Sequence, residues 1–220
     1  GDEFKLGNAS AKVISIGEDP QDLNADSIVL KVSFGDKSFL FTGDATANTE
    51  QRMLDQDIRS DVLKIGHHGS AGSTSDSFLA KVCPSMAVIS VGKGNTYGHP
   101  TEQVISKLRN RNITIYRTDE MRSIIMKCDG KIITVEFQDT KINPNISAGA
   151  VDAQTTKPQQ STTYNQDIKD RIVYIVLNGK KYHKDSCRTI KKSKNKECLS
   201  ISDARDRGYT PCAVCKPDAA

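Results

Sequence analysis

Four side chains in three short motifs have the chemistry of a metal-dependent hydrolase. Asp44 follows an apolar run in FLFTGDA, His67 and His68 lie in DVLKIGHHGS, and His99 lies near the end of AVISVGKGNTYGHP. A carboxylate is a hard oxygen ligand for divalent ions, and an imidazole can bind a metal or protonate a leaving alkoxide. Because each motif follows a predicted strand, we expect the three loops to converge on one edge of a sheet. Taken alone, Asp44 fits a turn or an N-cap equally well.

Strand-like and helix-like segments alternate around these loops, which favours a layered α/β architecture. A Gly-Asp pair at 35–36 suits a tight hairpin turn, and Ser75 or Thr74 and Thr101 are plausible N-caps. The predicted strands are 11–16, 27–34, 37–41, 61–65, 86–91, 113–116, 123–127 and 132–137, and the predicted helices are 46–55, 75–82 and 101–110.

The succession of TGDA, KIGHHGS and GHP resembles the second half of the metallo-β-lactamase fold, and within it the hydrolase domain of ComEC-type competence (DNA-uptake) proteins. The resemblance covers roughly residues 4–137. It implies half of an αββα sandwich and two catalytic divalent metals, zinc or manganese. Asp44 would bridge the metals, and one His of the HHGS pair would be a ligand or general acid. We favour His67 and keep His68 as the alternative.

His99 is the candidate for the last metal ligand and for a catalytic role. Related nucleases place that His directly at a strand end, a position that Ser90 holds here, so His99 would reach back through the Gly-rich loop 92–98. The first metal motif of the family, HxHxDH, does not occur, since no His precedes His67. We therefore expect the N-terminal half of the hydrolase domain to be missing from this chain, either because the chain is a fragment or because that half is supplied elsewhere.

A second set of candidate ligands lies near the C-terminus. His183 and Cys187 are four residues apart, and Cys212 and Cys215 form a CxxC knuckle. This pattern predicts a tetrahedral site of three cysteines and one histidine for structural zinc, which a module of about 50 residues needs because its core is small. Two alternatives are a four-cysteine site that replaces His183 with Cys198, and a disulfide-stapled domain in a secreted protein.

This C-terminal segment, about residues 172–217, also resembles the metal-binding module of the Ada DNA-repair protein. The two remaining cysteines, Cys83 and Cys128, fall inside apolar runs, and we expect both to be buried thiols without a chemical role.

Charge and composition divide the chain into three parts. Residues 1–137 form the predicted hydrolase domain, with 16 Lys and Arg against 18 Asp and Glu. Residues 138–167 are rich in Pro, Gly, Ser, Thr, Gln and Asn and are predicted to be a flexible linker. Residues 168–220 are the metal-binding module, and the stretch 138–220 contains 15 Lys and Arg against 9 Asp and Glu. This basic excess suggests DNA or another polyanion as partner, and Tyr182 and Tyr209 are candidates for stacking on bases.

The resemblance, together with the basic tail, implies a metal-dependent phosphodiesterase that acts on DNA, with a basic zinc-binding tail that tethers the substrate. Without the first half of the hydrolase domain, we expect the catalytic site to bind metal weakly or not at all, which leaves the activity of this chain alone open. The alternatives are a catalytically inert nucleic-acid or polyanion-binding module, and a metallohydrolase of esters or lactones. No apolar run approaches the roughly 18–20 residues of a membrane span, and the sequence leaves open a cytoplasmic, secreted or cell-surface location in a bacterial-type cell.

Overall fold

The computed structural model describes residues 1–17, 22–138, 162–163, 172–176, 178–193 and 196–218. A seven-stranded sheet dominates its first part, with the strands in chain order across the sheet. Strands β1 to β4 pair antiparallel and β4 to β7 pair parallel. The strands are β1 (Glu3–Leu6), β2 (Ala9–Ser15), β3 (Val29–Phe34), β4 (Lys37–Phe41), β5 (Val62–Lys64), β6 (Met86–Ile89) and β7 (Thr114–Arg117).

Helices cover one face of this sheet. They are α1 (Ala47–Arg52), α2 (Asp76–Val82) and α3 (Glu102–Asn110), and a short helix, α4 (Thr118–Met121), follows β7. Leu63 and Ile89 of the sheet share a buried core with Phe78 and Leu108 of the helices. Helix α2 begins where the sequence predicts, because the Ser75 hydroxyl accepts a hydrogen bond from the Phe78 amide at 3.4 Å.

A second sheet packs on the opposite face. It contains β8 (Ser123–Cys128), β9 (Ile133–Gln138) and β10 (Thr162–Thr163), in the order β10-β9-β8. Side chains alternate between the two faces of a strand, so Val62 meets Ile133 and Val135 of β9 while the next residue, Leu63, meets the helices. The predicted layered α/β class is confirmed.

The C-terminal region forms two small sheets and a helix. Strands β11 (Ile172–Val176) and β13 (Lys196–Ser200) pair antiparallel, and β12 (Lys181–Tyr182) and β14 (Thr210–Pro211) pair parallel. Helix α5 (Ile201–Asp206) follows β13. The core of this C-terminal region is small and centres on Tyr182, which is fully buried and packs with Val173, Ile175, Leu199 and Ala204.

This C-terminal region is fastened to the first part of the chain. A disulfide joins Cys83, at the end of α2, to Cys198 of β13. The Arg59 guanidinium lies 2.9 Å from the Asp185 carboxylate and also contacts the hydroxyl and ring of Tyr174. Arg59 precedes β5 and Cys83 precedes β6, so the attachment lies at the amino ends of the parallel strands. The prediction that Cys83 is an inert thiol was wrong, whereas Cys128 is free and half-buried.

The predicted linker, residues 138–167, falls mostly outside the described residues. Within it, Thr162 and Thr163 pair with β9. The three-part division of the chain stays a prediction. Among the described residues, no helix combines the length and the apolar character needed to span a bilayer.

Candidate functional site

Three loops at one edge of the sheet carry the predicted hydrolase residues. Asp44 follows β4, His67 and His68 follow β5, and His99 follows β6. Because these strands are parallel and adjacent, their carboxyl ends share an edge, where open α/β sheets commonly bind ligands.

The first loop is fixed close to the second. Gly43 has a φ of +54°, and a Cβ there would lie 3.0 Å from the Ser27 side chain, so glycine permits both the turn and the close approach. The Asp44 amide donates to the Ser27 hydroxyl at 2.9 Å. The His67 amide donates to the Gly43 carbonyl at 3.2 Å. The carboxylate and the His pair are thereby held on adjoining turns.

His67 and His68 both adopt left-handed backbone conformations, with φ of +45° and +54°. Residues other than glycine rarely do so, and such strain concentrates at functional sites. The turn exposes the His68 ring and leaves the His67 ring half-buried. His67 is therefore the more inward of the two, as expected.

His68, however, is the imidazole beside the acid. Its Nε2 lies 3.5 Å from Asp44 Oδ1, and its Nδ1 lies 2.6 Å from the Ser90 carbonyl oxygen. Because a carbonyl oxygen only accepts, this contact places a proton on Nδ1. Nε2 then faces a carboxylate, which is favourable only with a proton on Nε2 or a cation between the two groups. Ser90, at the strand end, thus orients His68 through its backbone.

His67 lies between the other two imidazoles. Its ring centroid is 6.3 Å from that of His68 and 5.8 Å from that of His99. His99 Nδ1 is buried and has no hydrogen-bond partner among the described residues. The third loop is tied to the second because the Thr101 amide donates to the Gly69 carbonyl at 2.9 Å. The four predicted side chains thus gather at one place.

Their fit to a metal is incomplete. Oxygen and imidazole donors suit zinc or manganese, and the Asp44–His68 pair and the unpartnered His99 nitrogen match that use. Among the residues that the structure describes, however, only a cluster in the C-terminal region brings three or more candidate ligand atoms within 4.8 Å of one another. The catalytic assignments of Asp44, His67, His68 and His99 remain predictions.

Sequence reasoning missed one charged group at this edge. The ammonium of Lys64, at the end of β5, donates to the Ile65 carbonyl at 2.7 Å. Burial lowers the pKa of Lys64, and the negative charge of Asp44 opposes that shift. A lysine inside the apolar run DVLKIG was the available signal, since a charge is costly there without a role.

The C-terminal cluster consists of His183, Cys187, Cys212 and Cys215, whose ligand atoms lie within 4.8 Å of one another. These are the four residues of the predicted set of three cysteines and one histidine, which could hold a metal ion such as zinc. Cys198 is not available to it because it is disulfide-bonded to Cys83, so the four-cysteine alternative is wrong.

Hydrogen bonds orient this cluster. The Thr189 hydroxyl lies 3.1 Å from Cys187 Sγ and 3.2 Å from His183 Nδ1. The Lys184 amide donates to Cys215 Sγ at 3.3 Å. Burial opposes ionisation of Cys187, but hydrogen bonds from Thr189, His183 and Cys215 outweigh it and lower the pKa of the thiol to about 6. Burial and the neighbouring Cys187 raise the pKa of Cys215 to about 11. Without a cation, the cluster therefore disfavours several thiolates at once.

The same region corrects one prediction about aromatic residues. Tyr182 is fully buried, and its hydroxyl donates to the Asp218 carboxylate at 2.8 Å, so it cannot stack on a base. Tyr209 is half-buried against the same core. Among the described residues of this region, the exposed cationic side chains are Lys180, Lys181, Arg188, Lys191, Lys192, Arg205, Arg207 and Lys216.

No protein-family model matches the chain. It is 36% identical over 137 residues to ComE operon protein 3 of Bacillus subtilis (strain 168), covering 61% of this chain and 18% of that relative. It is 42% identical over 101 residues to competence protein ComA of Neisseria gonorrhoeae, covering 44% of this chain and 15% of that relative. It is 33% identical over 121 residues to recombination protein 2 of Haemophilus influenzae, covering 55% of this chain and 15% of that relative. The chain is thus similar to part of competence and recombination proteins, and it spans less than a fifth of the length of each of these relatives.

Proposed function

We propose that this chain contributes part of a metal-dependent hydrolase that cleaves phosphodiester bonds in DNA. The observation that carries the proposal is the contact of Asp44 with His68 at 3.5 Å, at a sheet edge where His67 and His99 also gather. The similarity to a competence protein supports DNA as the substrate, because competence is the uptake of DNA.

The fold that we propose is the second half of a metallo-β-lactamase sandwich. Its support is the layering of helices, seven-stranded sheet and second sheet, with the candidate residues on the loops after β4, β5 and β6. The remaining metal donors would come from an HxHxDH segment of a longer protein, since that motif is absent from the 220 residues. Such a requirement matches the incomplete donor set at this edge.

The chain's own residues then have separable roles. Two divalent metals, when bound, would act as Lewis acids on the phosphate and stabilise its developing charge. Asp44 and His99 would hold them with one of the His pair. We assign His68 to the proton transfer, because Ser90 fixes its Nδ1 hydrogen and leaves Nε2 directed at the acidic centre. His67, half-buried between the other rings, fits the ligand role better.

The C-terminal region would act as a zinc-stapled, DNA-binding accessory. Its support is the Cys/His cluster and the exposed Lys and Arg side chains, which favour phosphate contacts by counterion release. The region is fastened at the amino ends of β5 and β6, opposite the hydrolase loops. It would therefore retain DNA near the domain without lining the catalytic edge.

A second candidate function is polyanion binding without catalysis. The observation in its favour is that, of the described residues, the C-terminal cluster alone forms a group of three or more close donors. In that case the hydrolase loops would be inert, and salt-sensitive retention of DNA would be the whole activity.

Nicking of supercoiled plasmid by the full-length gene product with added manganese tests the proposal. We expect nicking by the wild type, and a loss of at least about a hundredfold in His68→Ala, as is common when an acid–base group is removed. Asp44→Ala should lose at least as much, because it removes a proposed metal ligand. Asp57→Ala is the matched control, because that exposed acid pairs with Lys31 away from the site. Undiminished nicking in both site variants would contradict the proposal, and DNA retention without any nicking would favour the second candidate.

A further inference from the structure

An exposed aromatic residue stands beside the candidate hydrolase site. Tyr97 lies on the loop after β6, and 82% of it is exposed to solvent. Its ring is nearly parallel to that of His99, with an interplanar angle of 21° and ring centroids 6.1 Å apart. Tyr97 is the most exposed large aromatic residue of the described chain, so its position next to a site residue needs an explanation.

The loop that carries this ring is braced by hydrogen bonds and leaves the ring uncovered. Asn95 Nδ2 donates to the carbonyl oxygens of His99 at 2.7 Å and Gly92 at 3.2 Å, and Asn95 Oδ1 accepts from the His99 amide at 3.1 Å. A Cβ added at Gly92, Gly94 or Gly98 would have no atom within 4 Å. The loop is therefore internally braced by Asn95 while its outer surface is open to a large ligand.

The chemistry around the ring favours a nucleobase as its occupant. A base offers two flat faces, and one base–aromatic stack is typically worth about 1–3 kcal/mol. The exposed Lys93 lies on the same loop and supplies a positive charge for a phosphate. Bases inside a duplex already stack on their neighbours, so a single aromatic side chain on an open surface can stack only on an unpaired base.

We propose that Tyr97 is a positioning residue that stacks on an unpaired base of single-stranded DNA and so places an adjacent phosphate at the Asp44–His68 pair. The inference rests on the proposed function and deepens it, because it names single-stranded DNA as the preferred form of the substrate. If the partner of Tyr97 were duplex DNA or another protein, the affinity of the chain for a single strand would not depend on whether that strand carries bases.

The test is a thermodynamic cycle in which the tyrosine ring is removed from the protein and the bases are removed from the DNA, separately and together. Binding of the full-length protein to a short fluorescein-labelled oligothymidylate, and to the same backbone with abasic residues, is measured by fluorescence anisotropy without catalytic metal. The abasic strand keeps every phosphate, so contacts made by Lys93 or by the C-terminal region affect both probes alike. The proteins compared are the wild type, Tyr97→Ala, Tyr97→Phe and the control Phe4→Ala, which removes a 45% exposed aromatic residue from β1 at the far edge of the sheet.

We expect the wild type to bind the oligothymidylate about tenfold more tightly than the abasic strand, the effect of one stack. Tyr97→Phe and Phe4→Ala should keep that preference, and Tyr97→Ala should lose it. An equal preference in Tyr97→Ala and wild type, or no preference in the wild type, would overturn the inference. Neither result depends on hydrolysis, so failure of the plasmid assay would count against the proposed function and leave this measurement intact.

Discussion

Cys83 and Cys198 are 115 residues apart in the chain and are joined by a disulfide, with their Cα atoms 6.0 Å apart. The bond connects the left-handed residue that ends α2 to the central residue of β13. Together with the Arg59–Asp185 ion pair, it fastens the C-terminal region to the part of the chain that carries the seven-stranded sheet.

Removing this disulfide should destabilise the protein. A cross-link that closes a long loop typically contributes about 2–4 kcal/mol, because it restricts the unfolded chain. We expect the double variant Cys83→Ser, Cys198→Ser to show a lower urea midpoint than the wild type under non-reducing conditions. Cys128→Ser, which removes a free half-buried thiol, is the control and should change little. A midpoint that dithiothreitol leaves unchanged in the wild type would show that the bond does not form in solution.

Metal content should follow the Cys/His cluster and not the disulfide. We expect one zinc per chain from the C-terminal region by plasma emission spectroscopy, and a clear loss in His183→Ala and Cys212→Ser, since each removes one of four ligands. Cys198→Ser should retain the metal because its sulfur is committed to Cys83. Loss of zinc in Cys198→Ser, with retention in His183→Ala, would restore the four-cysteine assignment.

Gly69 should be intolerant of any side chain. Its φ is +86°, and a Cβ there would lie 2.5 Å from Pro100 Cβ. Gly94 provides a matched control, since its φ is +69° and nothing lies within 4 Å of its Cβ position. Both alanine variants incur the left-handed penalty of about 1–2 kcal/mol. Gly69→Ala alone forces the HHGS turn and the His99 loop apart, so we expect its unfolding free energy to fall further. Equal losses in the two variants would argue against tight packing of these loops.

Stability at high pH should depend on Tyr174. Burial raises the pKa of Tyr174 to about 12, although the charge of Arg59 acts in the opposite direction. In the unfolded chain a tyrosine ionises near pH 10. Between these two pH values the native state keeps a proton that the unfolded state releases. The contribution of Tyr174 to the unfolding free energy is therefore complete below about pH 10 and is lost as the pH rises towards 12.

The measurement is the unfolding free energy of wild type and Tyr174→Phe in urea from pH 9 upwards. Phenylalanine cannot ionise, so we expect the wild-type curve to fall more steeply, by roughly 1 kcal/mol per pH unit. Parallel curves would mean that Tyr174 is accessible to solvent in the native protein.

Local patterns predicted the elements that carry the candidate site. The strand Lys37–Phe41 and the helix capped by Ser75 follow from side-chain alternation and from one hydroxyl, both of which act within a few residues. Strand β1 gave no such signal, because all four of its residues are exposed. An edge strand with no buried face lacks the alternation that identifies strands.

Contacts between distant segments could not be predicted in the same way. The pairing of Cys83 with Cys198, the burial of Tyr182 and the left-handed turns at His67 and His68 depend on which surfaces meet in the folded chain. The candidate ligands were recognisable from residue type and spacing. Their relative positions, such as the closeness of His68 to Asp44, are set by the carbonyl of Ser90, which directly follows the neighbouring strand β6.

The closeness of Cys187, Cys212 and Cys215 has a practical consequence for handling the protein. Three reduced thiols lie together in a molecule that also contains a disulfide, and a thiolate attacks whichever disulfide it can reach. A bound metal would act as a protecting group for those sulfurs while Cys83 and Cys198 oxidise. Samples supplied with zinc before air exposure should therefore give one species on a non-reducing gel, whereas the reverse order should give scrambled isomers.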